Sequence, residues 1–119
     1  MKKTFAFRAL FLGLLATALF IAFSACGSNQ GAVKPDSVAA ETYLNSGNAY
    51  YNKADFDLAI ADYTHAIALN PNLTEAYNNR GYVYYIKGDK ELAIMDFEAA
   101  LKLDPDYTSA KNNLERAKK

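Results

Sequence analysis

A 34-residue period constrains this chain more than any other feature of its sequence. Between residues 40 and 107 the chain is written twice without a gap, and fifteen of the 34 aligned positions are identical. The identical pairs include Tyr43/Tyr77, Gly47/Gly81, Tyr50/Tyr84, Ala59/Ala93, Ala66/Ala100 and Pro71/Pro105. A fixed period of this size is typical of repeat proteins, in which each unit buries its hydrophobic face against its neighbours.

Each repeat is predicted to be a pair of α-helices separated by a short turn. Pro71 and Pro105 end the two repeats, because proline lacks a backbone N–H and its ring clashes with the preceding helical turn. Gly88 is expected to end a helix in the left-handed conformation, and Asp55 and Asp89 to cap the following helices with their side chains. The predicted helices are 41–53 and 56–69 in the first repeat, and 75–87 and 90–103 in the second.

Apolar residues recur at helical spacing within each predicted helix. Tyr43, Gly47 and Tyr50 stand at i, i+4 and i+7, which places them on one face. Ala59, Tyr63 and Ala66 share this spacing, as do Ala93, Phe97 and Ala100. Since the glycines and alanines let the helices approach while the rings fill the space between them, all of these residues are predicted to form the core.

The order Tyr-x3-Gly-x2-Tyr-x8-Ala-x3-aromatic-x2-Ala-x4-Pro, present in both copies, resembles the tetratricopeptide repeat (TPR). The resemblance implies an all-α fold, a short solenoid of helix-turn-helix repeats. The repeats are placed at 40–73 and 74–107, followed by a capping helix at 108–119 with Thr108 as its N-cap. Ser46 and Arg80 replace the large apolar residue that the family has before the glycine, so looser packing between the repeats is expected.

The N-terminal residues have the pattern of an export signal. Basic residues are followed by the uncharged apolar stretch 9–23 and by small residues before Cys26, the only cysteine. The sequence Phe23-Ser24-Ala25-Cys26 resembles the lipobox of bacterial lipoproteins, which implies a signal peptide at 1–25, lipid attachment to Cys26 and a flexible tether up to residue 37. An uncleaved anchor and an ordinary signal peptide are the alternatives. Because Gly27 is not the aspartate that retains lipoproteins in the inner membrane, the outer membrane is favoured.

The remaining composition offers little chemistry. The formal net charge is zero, so nothing indicates a nucleic-acid partner. The single histidine, His65, is predicted to face solvent. Since the one cysteine is assigned to lipid attachment, no other histidine or cysteine is left to bind a metal with it. We therefore predict a protein that is not an enzyme and that needs no cofactor or metal.

The resemblance places a concave binding groove on the first helix of each repeat and on the capping helix. Asn45, Asn79 and Asn113 recur at 34-residue steps, and an asparagine amide both donates and accepts hydrogen bonds to a peptide backbone. Exposed tyrosines add apolar area with a polar tip. The predicted groove residues are Asn45, Asn48, Tyr51, Asn78, Asn79, Tyr82, Tyr85, Asn112, Asn113 and Arg116.

Chaperone-binding members of the family hold a C-terminal carboxylate with Lys and Arg beside two Asn. The resemblance puts Asn48 and Asn79 at the two Asn positions. At the cationic positions it puts Leu44, Ser109 and Asn113, so that the carboxylate grip is incomplete and this ligand class is disfavoured.

These features predict a membrane-anchored TPR lipoprotein that acts as a protein–protein interaction adaptor or scaffold in the bacterial cell envelope. Its partner would be an envelope protein or peptide. Two repeats are few, since about three are usually needed for stability. Either marginal stability or end-to-end self-association is therefore expected. A self-associating scaffold and a docking subunit of an envelope enzyme are the alternative functions.

Overall fold

The structure is a computed structural model that describes residues 34–119. This part of the chain forms five α-helices and no strand. The helices are α1 (Pro35–Asn52), α2 (Phe56–Leu69), α3 (Thr74–Lys87), α4 (Lys90–Leu103) and α5 (Thr108–Ala117). The predicted all-α fold is confirmed. The signal peptide and the lipid attachment at Cys26 lie outside the described residues.

The helix boundaries follow the predicted turns closely, except at the first helix. Gly88 ends α3 with φ 89°, the left-handed conformation expected of it. Helix α1 begins at Pro35, six residues before the predicted start, so the prediction of a flexible tether is wrong for residues 35–37. Proline suits the first position of a helix, where its missing N–H would have had no helical partner. The added turns also contain Ala40, which is fully buried and fixes this end of the helix to the core.

The predicted side-chain caps are wrong. Asp55 and Asp89 occupy the N-cap positions of α2 and α4, but neither side chain makes a capping hydrogen bond. Tyr107, not Thr108, is the N-cap of α5, and the Thr108 hydroxyl instead donates to the Asp106 carbonyl at 3.4 Å. Different side chains order the loops between helices. The side-chain oxygen of Asn70 accepts a hydrogen bond from the backbone N–H two residues later, and the carboxylate of Asp104 does the same, as in Asx turns.

Helix pairs pack in chain order. Helix α1 packs on α2, α3 on both α2 and α4, and α5 on α4. Two hydrophobic clusters result, one between α1, α2 and α3 and the other between α3, α4 and α5. The six predicted core residues of the second helices are buried, which confirms that part of the core: Ala59, Tyr63, Ala66, Ala93, Phe97 and Ala100.

The predicted core fails at Tyr43. Its side chain is 39% exposed and packs at a tilt against the exposed His65, with ring centroids 5.1 Å apart. The equivalent Tyr77 is half-buried because α3 packs against the preceding repeat. Within residues 34–119 no helix precedes α1, so no preceding repeat in this part of the chain covers Tyr43.

Arg80 strengthens the contact between repeats, contrary to the looser packing predicted from it. Its Nε and Nη2 atoms each donate to the Asp96 carboxylate at 2.8 Å, a two-bonded ion pair within the second repeat. Its Nη1 atom donates to the Thr64 hydroxyl of the first repeat at 3.0 Å, and its guanidinium lies 5.9 Å from the Tyr77 ring centroid. The planar guanidinium suits such two-bonded pairing, which an apolar side chain could not make.

None of the five helices in residues 34–119 combines the length and hydropathy needed to cross a membrane.

Candidate functional site

A cleft opens between α1 and α3 on the face that the repeat pattern assigns to the groove. Its volume is about 310 Å³, at the lower end of the range for ligand sites. It is lined by Asn48, Tyr51, Asn52, Tyr63, Asn79 and Tyr82. We call it the tyrosine cleft. Three of its six residues are tyrosines, three are asparagines, and none carries a charge at neutral pH.

A second cleft of about 360 Å³ lies between α3 and α5. Asn79 and Tyr82 line both clefts, so the two adjoin along α3. The other residues that line this second cleft are Asn78, Ser109, Asn112, Asn113 and Arg116. Arg116 is the single charged residue among them.

Four asparagines form a chain of hydrogen bonds from α5 to α1. Asn113 Nδ2 donates to Asn78 Oδ1 at 3.1 Å, and Asn78 Nδ2 donates to Asn79 Oδ1 at 3.2 Å. Asn79 Nδ2 then donates to Asn48 Oδ1 at 3.0 Å. Every amide in the chain points the same way. The chain ties the three helices of the groove together, because each link but one joins two different helices.

Tyr63 of α2 also bonds to the last asparagine of this chain. Its hydroxyl donates to Asn48 Oδ1 at 2.7 Å, so this oxygen accepts two hydrogen bonds. Both lone pairs of the oxygen are therefore occupied. Within residues 34–119 the Asn48 Nδ2 makes no hydrogen bond, and its two N–H groups remain available at the cleft.

Burial raises the pKa of two of the cleft tyrosines, Tyr51 and Tyr63. Burial, followed by the negative charge of Glu75 and by Tyr51, raises the pKa of Tyr63 to about 12. Burial also raises the pKa of Tyr51, with contributions from the neighbouring Tyr82. The rings of Tyr51 and Tyr82 are 6.1 Å apart and tilted by 60°, so they meet as two walls at an angle. The phenols of Tyr51 and Tyr63, whose pKa values are raised, therefore stay protonated at physiological pH.

The structure brings eight of the ten predicted groove residues to the two clefts: Asn48, Tyr51, Asn78, Asn79, Tyr82, Asn112, Asn113 and Arg116. Asn45 is exposed on α1 but lines neither cleft, and Tyr85 packs against the second hydrophobic cluster. Asn48, not Asn45, is the asparagine of α1 that joins the hydrogen-bond chain.

Two details were not anticipated from the sequence. Leu44, assigned by the family pattern to a cationic groove position, is 6% exposed and belongs to the first hydrophobic cluster. Tyr63 was assigned only to the core, yet its hydroxyl reaches the cleft. The signal for Tyr63 was present, since the second repeat has Phe97 at the same position and so lacks the hydroxyl.

Comparison with known proteins gives matches to one repeat class. The sequence profile described as "Tetratricopeptide repeat" matches residues 74–107, and a second, "TPR repeat", matches residues 47–88. Among curated proteins none matches the chain.

Several solved structures are similar to this chain. The second TPR domain of human RPAP3, solved with an HSP70 peptide, is 31% identical with a TM-score of 0.65, and the match covers 67% of each chain. The TPR2B domain of yeast Sti1, in complex with pHsp70, is 28% identical over 69% of this chain and 66% of that one, with a TM-score of 0.68. MamA is 30% identical over 68% of this chain and 47% of its own, with a TM-score of 0.66.

Proposed function

The chain belongs to the tetratricopeptide repeat family, and from this premise we propose that it is a lipid-anchored adaptor that holds a protein partner in the bacterial cell envelope. Tetratricopeptide domains bind peptides, and several of the similar structures contain an HSP70 or HSP90 peptide. The observation that carries the proposal is the pair of adjoining clefts along α3, where exposed amides and phenols meet apolar ring surface. Such surfaces suit protein recognition, because aromatic residues supply contact area with a polar tip.

The proposed partner differs from the chaperone peptides bound in several of the similar structures. The tyrosine cleft contains no basic side chain, and Leu44, which stands at one expected cationic position, is buried. A terminal carboxylate placed in this cleft would lose its hydration without gaining an ion pair, which is costly. The partner is therefore expected to present an internal segment of its chain to the cleft.

The proposed anchor rests on the sequence of the N-terminal residues. Cys26 follows a basic and then an apolar stretch of the kind that directs export, and two or more acyl chains give stable membrane attachment. Replacing Cys26→Ala should abolish incorporation of a labelled fatty acid. Unchanged labelling of this variant would refute the anchor while leaving the binding role untouched.

The binding role can be tested by crosslinking the full chain in its native membranes and identifying what is captured. Asn48→Asp is the informative variant. Asp retains an oxygen that accepts from Tyr63 and Asn79, but it removes the two N–H groups that face the cleft. Asn72→Asp makes the same charge change at an exposed turn and is the matched control.

We expect wild type and Asn72→Asp to capture the same envelope protein and Asn48→Asp to lose it, with all three chains folded by circular dichroism. Equal capture by all three would place binding outside the clefts and refute the proposal. Capture of further copies of the chain alone would favour a self-associating scaffold instead.

A further inference from the structure

The second helix of each repeat presents apolar side chains to the surface. Three exposed residues of α2 have apolar equivalents, also exposed, 34 positions later in α4. At spacings of i, i+3 and i+11 they lie within roughly a quarter of the circumference of each helix. We call these six residues the outer face: Leu58, Ala61, Leu69, Leu92, Met95 and Leu103. Its five large side chains are between 37% and 65% exposed, and such groups mark contacts with proteins or membranes.

Little charge interrupts the outer face. Four of the seven exposed residues of α2 are leucine or alanine, and its one exposed acid, Asp57, pairs with Lys87. On α4, exposed charges of both signs border the face, among them Glu91 and Lys102. Three of the thirteen basic residues precede residue 34, which leaves ten against all thirteen acidic residues in 34–119. The face is therefore suited to an apolar partner and offers no excess of positive charge to an anionic one.

The chain enters this domain at one end of the outer face. Lys34, Asp36 and Ser37, at the start of α1, line a cavity together with Leu69 and the loop that follows α2. Cys26, the proposed site of lipid attachment, stands nine positions before Pro35. A chain of that length spans at most about 30 Å. The proposed anchor would therefore keep this end of the face beside the bilayer, where even a weak affinity for lipid is sufficient for contact.

Lipid suits the outer face better than a protein partner does. Its side chains are aliphatic or thioether and carry no group that donates a strong hydrogen bond. Protein interfaces are enriched in aromatic residues and arginine, which the face lacks, whereas interfacial helices place leucine-rich faces about 5–10 Å into the headgroup boundary. None of the six residues lines either cleft, because the clefts open between the first helices.

We propose that the outer face lies on the surface of the lipid bilayer, with its leucine and methionine side chains inserted at the headgroup boundary. The two clefts along α3 then remain open to water and to a protein partner. This inference rests on the proposed lipid anchor and gives the anchored domain an orientation.

Fluorescence quenching by brominated lipid tests this orientation. The lipidated chain is reconstituted into phosphatidylcholine vesicles with a fluorophore attached at Met95→Cys or at Ser109→Cys, which lies in the second cleft. With Cys26 acylated, each variant has a single free thiol. We expect brominated phosphatidylcholine to reduce the fluorescence at position 95 at least threefold and to leave that at position 109 unchanged. Equal quenching at the two positions, or none at position 95, would overturn the inference.

Charged substitutions test whether the outer face itself makes the contact. Leu92→Glu with Met95→Glu places two carboxylates on it and should abolish the quenching of a fluorophore at Leu103→Cys. Asn45→Glu with Ala49→Glu adds the same charge at exposed positions of α1 and should leave that quenching unchanged. All four replaced side chains are exposed, so circular dichroism should show folded chains. Quenching that persists with acids on the outer face, or that is lost equally in both variants, would overturn the assignment.

The anchor and the orientation fail in different ways. If the chain takes up no labelled fatty acid and does not float with the vesicles, the anchor is wrong and the orientation falls with it. If the chain floats but the fluorophore at position 95 is not quenched, the anchor stands and the orientation is wrong. Crosslinks between the outer faces of two copies in that second case would assign the face to self-association instead.

Discussion

The two repeats have the same pair of helices but differ in the side-chain contacts that stabilise them. Arg80 in the second repeat bonds to Asp96 within its own repeat and to Thr64 in the first. Ser46 stands at the equivalent position of the first repeat and is too short to reach across in this way. Two repeats with the same helices therefore make different contacts at this position, because the residue that stands there differs.

Two other positions differ between the repeats with a structural consequence. Tyr63 in the first repeat is Phe97 in the second, and only Tyr63 supplies a hydroxyl to the asparagine chain. Ala54 takes the left-handed conformation, with φ 61°, that Gly88 takes in the second repeat with φ 89°. The first repeat thus has the hydroxyl that supports the cleft, and it also has the more strained turn.

The largest effect is expected from Arg80→Ala. Asp96, whose side chain is 8% exposed, would lose its partner, and removing one member of such a buried pair costs about 3 kcal/mol of unfolding free energy. Ser46→Ala at the equivalent position should cost less than about 0.5 kcal/mol. Urea denaturation of both variants measures the contrast. Equal losses would mean that the ion pair does not distinguish the repeats.

Gly47→Ala should follow with a loss of about 2 kcal/mol, the cost of overpacking less the gain in helix propensity. A Cβ at this position would lie 2.6 Å from Cε1 of the buried Tyr63 ring. At Gly81 the nearest atoms, including Phe97 Cε1, lie at 3.0 Å, so Gly81→Ala should cost less. Thermal melting orders the two variants, and a larger loss at Gly81 would contradict the packing described.

Tyr63→Phe converts this position to the residue of the second repeat and should cost about 1 kcal/mol at neutral pH, the hydrogen bond to Asn48. The pKa of Tyr63 is raised from 10.0 to about 12 in the folded protein. Between pH 10 and pH 12 the Tyr63 phenol therefore ionises in the unfolded chain but not in the folded one. Wild-type stability should therefore fall as pH rises from 10 to 12, by up to about 1.4 kcal/mol per pH unit.

Tyr63→Phe should flatten this decline, and melting at pH 9 and pH 11 measures it. Tyr43→Phe changes an exposed tyrosine and is the control that should keep the wild-type decline. An undiminished decline in Tyr63→Phe would show that this phenol is not the group responsible.

The smallest effect is expected from Ala54→Gly. Alanine in the left-handed region is strained by about 1–2 kcal/mol, and glycine removes this strain. Glycine also makes the unfolded chain more flexible, which offsets part of the gain in unfolding free energy. A net gain of about 0.5 kcal/mol should appear in denaturant unfolding. Gly88→Ala makes the reverse change and should lose a similar amount. A loss in both variants would indicate that the turn at Ala54 carries no strain.

The fold could be predicted from the sequence because prolines, small residues and helical spacing act locally. Helices α2 and α4 have the predicted bounds. The predictions that failed depend on neighbours: Tyr43 lacks a covering helix, and Arg80 finds partners in two repeats at once. Neither outcome can be read from the spacing within one helix.

The candidate site was predictable in its residue types but not in its hydrogen bonds. The 34-residue step aligned Asn45 with Asn79, whereas Asn48, almost one turn later, is the residue whose oxygen meets the Asn79 amide. Which asparagine pairs across two helices depends on their relative offset and tilt, and these come from tertiary packing. The sequence likewise could not predict that the Asn48 oxygen accepts two hydrogen bonds, because both donors come from other helices.

The most direct test of the account is site-specific photocrosslinking in living cells. A photoreactive phenylalanine derivative would replace Tyr82, on the wall of the tyrosine cleft, or Tyr43, an exposed tyrosine outside both clefts. We predict a discrete crosslinked protein from position 82 and none from position 43. An adduct from position 43 alone, or the same adduct from both positions, would contradict the claim that the cleft is the binding surface.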